Sequence, residues 1–479
     1  MRARLLERER HACHDAVDDA ALADGTALLR TDRRADRHDD ARRRAVLAVE
    51  RHLGCEGLLD AAAIDGSFDA RTRAVAAYQR RHAILGVGWV DEHTRAALRE
   101  DSRELDIRGA LRMLRERVVD ATGLIEDGSA SQAWQPVSGR MLDPPQLLGA
   151  LGRAPLPGGA PDRVAAATQA AAEALGWSDL ESIAASLDRR PDDCRVVLPL
   201  PALPAWRTAP LELRAEIDRG DVWYQYPWTP SGQPRAQPVE QQPTLTLFAI
   251  HDGVEEALVR WPTTIGGWER DRRPSGRVVL RYKASSPGTF VWRDVVAAPT
   301  WFPPPSTPNR ELVWRRPDGR WVLREDTVGP GYRSAYGLAM LIHLQSLPVR
   351  GKPEPRWRDT GVRTHGSSSY LSVYGDHSHG CHRLPNHLAL RLTSFVLRQR
   401  EHEVLGPIVE HYARRVTWGS VRWIRRHSRG FGYRLHEPIE VIVREGTVRG
   451  PVREPSTRSW PLPPRRRRAT AAARRRATR

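Results

Sequence analysis

The chain has 479 residues, with 75 Lys and Arg against 58 Asp and Glu, a formal net charge of +17 and 28% charged residues. Forty per cent hydrophobic residues is normal for a globular protein, and no apolar run nears the ~20 residues that a membrane helix needs, which excludes a bundle of membrane-spanning helices. Eight arginines fall within 465–479 and only two lysines, Lys283 and Lys352, occur in the chain, so a permanently cationic surface suits an acidic wall polymer, a membrane surface or nucleic acid.

In chain order, residues 1–41 read as a basic lead-in, helical or partly disordered, without the apolar core of a secretory signal. Residues 42–100 read as a compact helical unit. ARRRAVLAVERHLG has helical apolar spacing, Asp65-Gly66 marks a turn, Asp69 is placed to cap the helix carrying Val75 and Tyr78, and Asp91 to cap the next. Residues 101–240 read as a helical spacer or scaffold closing in a Pro/Gly/Gln-rich linker. From 241 the pattern becomes strands: TLTLFAIHDG and VEEALVRWPTTIGG form a hairpin at Asp252-Gly253, and RVVLRYKA, TFVWRDVVAAP and ELVWRRPDGRWVL continue the β character. A helix is expected over 387–415 and a last strand in EPIEVIVREG, so 241–446 is a mostly-β domain with helical insertions. Residues 447–479 read as a disordered basic tail.

The four cysteines, Cys13, Cys55, Cys194 and Cys381, form no CxxC pair, so neither a disulfide framework nor a cysteine-rich zinc site is indicated. Cys381 is set apart by its neighbours, RTHGSSSYLSVYGDHSHGCHRLPNHLAL. A thiol acyltransferase needs a thiolate, a base in reach, backbone donors for an oxyanion and a cation for the substrate. Gly380 lets the backbone turn tightly before Cys381, and the helix begun by PNHLALRL places its positive end nearby to favour a thiolate. His365, sixteen residues upstream, returns to Cys381 through a hairpin-like excursion, and Arg383 is positioned to grip a carboxylate.

These residues carry a family resemblance. His365-Gly366-Ser367, followed by Ser378-His379-Gly380-Cys381-His382-Arg383-Leu384, resembles the HGT and (S/T)HGC(I/L)R(L/M) motifs of L,D-transpeptidases of the YkuD type. GPGYRSAYGLAMLIH, VAAPTWFPPP with Trp301 and Pro303, and GGWERDRRPSGRVVL resemble further family segments, so the likeness covers roughly 240–446. Three positions depart: Thr364 stands where an apolar residue is usual, Ser367 replaces Thr, and His382 replaces an aliphatic residue. Residues 42–100 resemble a three-helix peptidoglycan-binding domain through Asp65, Gly66, Phe68, Thr72, Ala74, Val75, Tyr78, Gln79, Gly88, Val90, Asp91 and Thr94, with Tyr78 in place of Phe. Most of these residues build a small helical core whether or not the unit binds wall.

The implied fold is multidomain: a mostly-β L,D-transpeptidase catalytic domain preceded by α-helical peptidoglycan-binding-like and spacer domains. The resemblance implies that Cys381 attacks the third stem-peptide carbonyl, that His365 is the base, and that Ser378, His379, Gly380 and Gly366 support the oxyanion or the turn. Arg383, Tyr336 and Ser367 are implied substrate contacts, no cofactor or metal is expected, and the partners are peptidoglycan stem peptides and glycan, with envelope or periplasmic placement. Rival readings are an L,D-carboxypeptidase, a non-catalytic wall-binding protein, and a zinc site drawn from His377, His379, Cys381, His382 and His387. Nucleic-acid binding rests on the arginine tail alone. Trp223, Trp228, Trp292 and Trp301 are able to stack on sugars or bases, although most tryptophans of this kind are core.

Overall fold

A computed structural model of the chain describes residues 13, 40–66, 72–84, 88, 90–133, 136–137, 140–141, 152–188, 197, 204, 206, 211–316, 319–351, 355–374 and 378–462. The expected lead-in other than Cys13, Asp40 and Ala41, Phe68 and the Asp69 cap, Cys194, His377 and the tail from 463 lie outside the described residues.

The helical unit forms where the apolar spacing places it. Helices α1 (Asp40–Cys55), α2 (Thr72–Arg81) and α3 (Glu92–Arg99) bury Val46, Val49, Leu53, Val75, Tyr78, Val90 and Leu98 together. Asp91 caps α3 by accepting the Thr94 N–H at 2.8 Å. The motif residues hold one another: Gln79 donates to Thr94 Oγ1 at 2.8 Å and accepts the Gly88 N–H at 2.9 Å. One expectation is overturned here, since Cys13 and Cys55 form a disulfide with Cα atoms 5.7 Å apart. Sequence spacing signals only local pairs, and this bridge joins residues 42 apart.

Helices α4 (Ser102–Thr122), α5 (Arg163–Leu175) and α6 (Leu180–Asp188) follow, with the small hairpin of β1 (Pro136–Val137) and β2 (Arg140–Met141) between them. This segment is docked on the sheet. Asp127, just beyond α4, accepts from Trp261 Nε1 at 2.8 Å and from Arg391 Nη1 at 3.0 Å, and Arg391 also pairs with Glu116.

The β-rich part begins at Glu212, inside the stretch expected to be spacer. Strand β3 (Glu212–Asp218) alternates buried and exposed side chains and pairs on both edges, so the boundary at 240/241 falls within the fold. Strand β4 (Asp221–Val222) follows, then β5 (Thr244–His251) and β6 (Val254–Pro262), the expected hairpin at Asp252-Gly253. β7 (Trp268–Arg272) and β8 (Val278–Tyr282) form a second hairpin, β9 (Gly288–Ala297) enters the main sheet, and β10 (Val313–Arg315) pairs with β11 (Trp321–Leu323). The short helix α7 (Glu325–Val328) leads to β12 (Ala339–Leu347) and β13 (Arg356–Ser367). α8 (Tyr370–Tyr374), β14 (His382–Pro385) and α9 (Asn386–Gln399) complete the motif region.

The helix expected over 387–415 stops at Gln399. Strand β15 (His402–Trp418) replaces its second half and folds back on β16 (Ser420–Val443). Gly406-Pro407 and the β-formers Val404, Ile408, Val409 and Tyr412 explain the change. The nine-stranded mixed sheet runs β14-β13-β12-β9-β16-β3-β5-β6, with β15 paired to β16. Leu388, Leu392, Phe395 and Val396 of α9 pack with Trp292, Val295, Leu341 and Leu384 in its largest core. The tail expected from 447 is structured to 462: β17 (Thr447–Val448) pairs with β4 and β18 (Trp460–Pro461) with β8. The architecture is therefore multidomain α/β, helical units first and a large mixed sheet after them. Among the described residues no helix is long and apolar enough to cross a membrane.

Candidate active site

The site is set by one register. β13 and β14 are parallel neighbours with Thr364 opposite His382, His365 opposite Arg383 and Gly366 opposite Leu384. The expected hairpin return is thus a crossover between parallel strands, with α8 inside the excursion. Side chains alternate along a strand, so Arg363 and His365 share a face with Arg383, while Thr364, Gly366, His382 and Leu384 share the other. Leu384 lies in the core under α9, which identifies that second face as the inner one.

Cys381 is the free cysteine of the described residues and is partly exposed at the start of β14. Its Sγ lies 3.9 Å from the carbonyl of Gly361 on β13. Gly380 has φ +103°, a conformation that side-chain-bearing residues rarely adopt, and Ser378 Oγ closes the turn by donating to the Cys381 carbonyl at 2.6 Å. Gly266 runs so close to this turn that a Cβ there would lie 2.7 Å from Gly380 N.

His365 is fixed by its surroundings. Its Nδ1 is 2.8 Å from the Gly366 carbonyl, an acceptor, so Nδ1 carries the proton and Nε2 the lone pair. The Tyr336 ring packs edge-on against the imidazole with centroids 5.0 Å apart. The loop bearing Tyr336 reaches this position because Gly337 presses against Gly366 and Asn386, where a Cβ would meet Asn386 Oδ1 at 2.1 Å. Asn386, at the start of α9, also accepts the Leu338 N–H at 3.2 Å and donates to the Tyr332 carbonyl at 2.8 Å. His365 and Cys381 make no hydrogen bond to each other in this conformation.

Burial works against ionisation of both groups. Burial, then the Arg383 guanidinium, holds His365 down to about 3. Burial also pushes the Cys381 thiol above its usual range, partly offset by the Arg363 N–H and by the charges of Arg363 and Arg383. Both shifts favour the uncharged forms, a thiol and a neutral imidazole. Arg363, overlooked in the sequence, is locked by a two-pronged pair with Asp359 at 2.7 and 2.6 Å. Its place two residues before His365 was the available signal, since it puts both on one strand face. Burial pushes the Glu269 carboxyl to about 7 while Arg383 opposes the rise. Burial, then the Cys381 thiol, raises the Tyr336 hydroxyl to about 12.

The remaining site residues divide. Burial lowers the Arg383 pKa, opposed by the negative charge that Cys381, Glu269 and Tyr336 would carry when ionised. Its carbonyl accepts from Thr263 Oγ1 at 3.0 Å. Ser367 Oγ is engaged with Ser372 Oγ at 2.7 Å and the Ser369 N–H at 3.1 Å, tying down the start of α8. His379 is exposed beside the β7–β8 hairpin. Among the described residues no group of three or more His, Cys, Asp or Glu side chains is placed to hold a metal ion. Cys381 and His382, adjacent in sequence, occupy opposite faces.

No protein-family model matches the chain, and no curated protein matches it.

Proposed function

We propose that the chain is a cysteine acyltransferase of the L,D-transpeptidase type, acting on peptidoglycan stem peptides. The observation that carries the reading is the parallel register of β13 and β14. It sets His365, with Nε2 as its lone-pair nitrogen, across from Arg383 on the strand that Cys381 immediately precedes. In the proposed reaction the Cys381 thiol gives its proton to His365 Nε2 as sulfur attacks the carbonyl of the third stem residue. The C–N bond to the terminal D-alanine breaks, and the same proton leaves with that amine. A side-chain amine of a second stem then opens the thioester, forming a 3→3 cross-link and restoring the thiol. Backbone N–H groups at the 380–382 turn would hold the oxyanion, and Arg383 the donor carboxylate. Resolution of the thioester by water would make the enzyme an L,D-carboxypeptidase.

On this reading the β-rich part is the catalytic domain and the α1–α3 unit anchors the enzyme to wall. The Cys13–Cys55 disulfide supports an oxidising compartment such as the envelope, because such bonds do not persist in the reducing cytosol. The test is product analysis with a defined stem tetrapeptide and an acceptor amine. Cross-linked product supports transpeptidation, tripeptide alone supports carboxypeptidation, and unchanged tetrapeptide in a folded protein overturns both.

A further inference from the structure

The described part of the C-terminal region is a strap that builds a second concave surface. β18 pairs with β8, Trp460 opposite Leu280 and Pro461 opposite Val279, so the strap over 452–462 is pinned near its end to the β7–β8 hairpin. The strap separates two cavities. One, of about 940 Å³, is lined by Arg272, Arg273, Arg281 and Arg458 together with Ser306 and Ser459. Its single carboxylate, Asp271, is already paired with Lys283 at 3.1 Å and Arg281 at 3.3 Å. Four guanidinium groups facing one neutralised carboxylate leave a strongly cationic concavity.

The other cavity, of about 570 Å³, holds an aromatic cluster of Tyr226, Trp228, Trp268 and Trp460. Tyr226 stacks on Trp460 with centroids 4.9 Å apart and planes 19° apart, and contacts Trp228 at 5.5 Å and Trp268 at 5.3 Å. Trp460 remains 40% exposed, so the cluster is not closed off as core. Gln225, Arg235 and Glu454 add hydrogen-bonding groups to the same cavity. Partly exposed rings beside polar side chains suit a sugar, whose C–H face covers a ring while its hydroxyls meet the polar groups. A lipid chain would have no use for the polar groups, and Glu454 in this cavity is unfavourable to a phosphate of a stacked nucleotide.

The hairpin that carries both cavities also abuts the nucleophile turn. Lys283, next after β8, has its carbonyl 3.5 Å from the position of a Cβ on Gly380. We propose that the strap and the β7–β8 hairpin form a binding site for an anionic glycan strand, with sugar rings on the Tyr226–Trp460 cluster and carboxylate or phosphate substituents on the four arginines. The source of the glycan rests on the transpeptidase reading; the binding itself does not.

The test uses the full chain carrying Cys381→Ala, which cannot turn over, titrated by tryptophan fluorescence. The probes are the neutral β-1,4 tetramer of N-acetylglucosamine, a soluble stem-free glycan with free lactyl carboxylates, and a phosphodiester-linked polyol. Trp460→Ala and Trp228→Ala should each weaken the neutral tetramer by about tenfold. Arg273→Ala with Arg458→Ala should leave the tetramer unchanged and abolish the salt-dependent advantage of an acidic probe. The acidic probe with the larger advantage identifies carboxylate or phosphate as the natural substituent. Unchanged tetramer affinity in both Trp variants, each melting like the parent, overturns the site. So does poly(U) binding that follows the arginines while no sugar probe binds, which would assign the surface to nucleic acid. The same Trp and Arg changes made with Cys381 intact separate the two readings: unchanged glycan binding in the variants with tetrapeptide turnover by the parent rejects this site alone, and lost glycan binding in the variants with no tetrapeptide turnover by the parent rejects the transpeptidase reading alone.

Discussion

Thr364 and His382 are register partners across the parallel β13–β14 pair, and both meet the buried His343 on the inner face of the sheet. Thr364 Oγ1 lies 2.8 Å, Trp292 Nε1 3.0 Å and His382 Nδ1 3.4 Å from His343 Nε2. Trp292 can only donate, so His343 Nε2 is the acceptor and its proton sits on Nδ1. Two of the three positions that depart from the L,D-transpeptidase pattern the sequence resembles, those adjoining Cys381 and His365, therefore belong to one cluster. His382 does not narrow the substrate side of Cys381; it lies on the opposite face.

Burial, and then the neighbouring His382, holds His343 well below the usual histidine range, and burial followed by Arg219 holds His382 at about 3. Folded-state values below the unfolded value give stability that is full above about pH 6.5 and is lost as pH falls toward 3. His382→Leu removes one such group, together with the buried Nε2 that has no hydrogen-bond partner. Thermal melting should be near that of the parent at pH 7.5. At pH 5 the variant should be the more stable by roughly 2 kcal/mol, from ~1.4 kcal/mol per pH unit over the interval below 6.5. Equal pH slopes in parent and variant would show that His382 takes up its proton in the folded state.

His365→Ala should slow acylation by about 10²–10⁴-fold near neutral pH. Because His365 stays neutral down to about 3, the parent should keep its base through mildly acidic pH. The variant should instead gain rate steadily with pH, as hydroxide ionises a thiol whose pKa is already raised. A variant profile parallel to the parent's would remove the base role from His365.

Arg363→Met should raise the thiol pKa further, since the Arg363 charge is among the groups that favour the thiolate. The pH midpoint for iodoacetamide labelling of Cys381 should move upward by about one unit. An unchanged or lowered midpoint would mean that the Arg363 charge does not favour the thiolate.

Replacing Cys13 and Cys55 by serine should destabilise the helical unit by about 2–4 kcal/mol, the range for a bond closing a loop of this length. The parent should lose the same stability on reduction and the variant none. Non-reducing peptide mapping that finds both thiols free would contradict the bridge.

Much of the site was readable because strand alternation and motif spacing are local. SHGC, HG and the Gly-rich 329–338 segment lie where short-range turn chemistry puts them. The helical unit was readable because Gln79, Asp91 and Thr94 satisfy each other within a few turns of helix. What escaped depends on distant partners. Glu212–Asp218 is a strand because β5 and β16 flank it. The disulfide, the Arg391–Asp127 dock and the His343 cluster likewise join residues far apart in sequence. The register that sets His365 opposite Arg383 and Thr364 opposite His382 is a pairing property, which composition and spacing do not encode.

The central claim is that Cys381 forms a thioester with the stem peptide. Intact-mass analysis of the full chain quenched in acid during turnover of a stem tetrapeptide tests it directly. The parent should gain the mass of the tripeptide acyl group, mapped to Cys381, with D-alanine released, and folded Cys381→Ala should gain nothing and release nothing. D-alanine release by folded Cys381→Ala at the parent's rate would contradict the account.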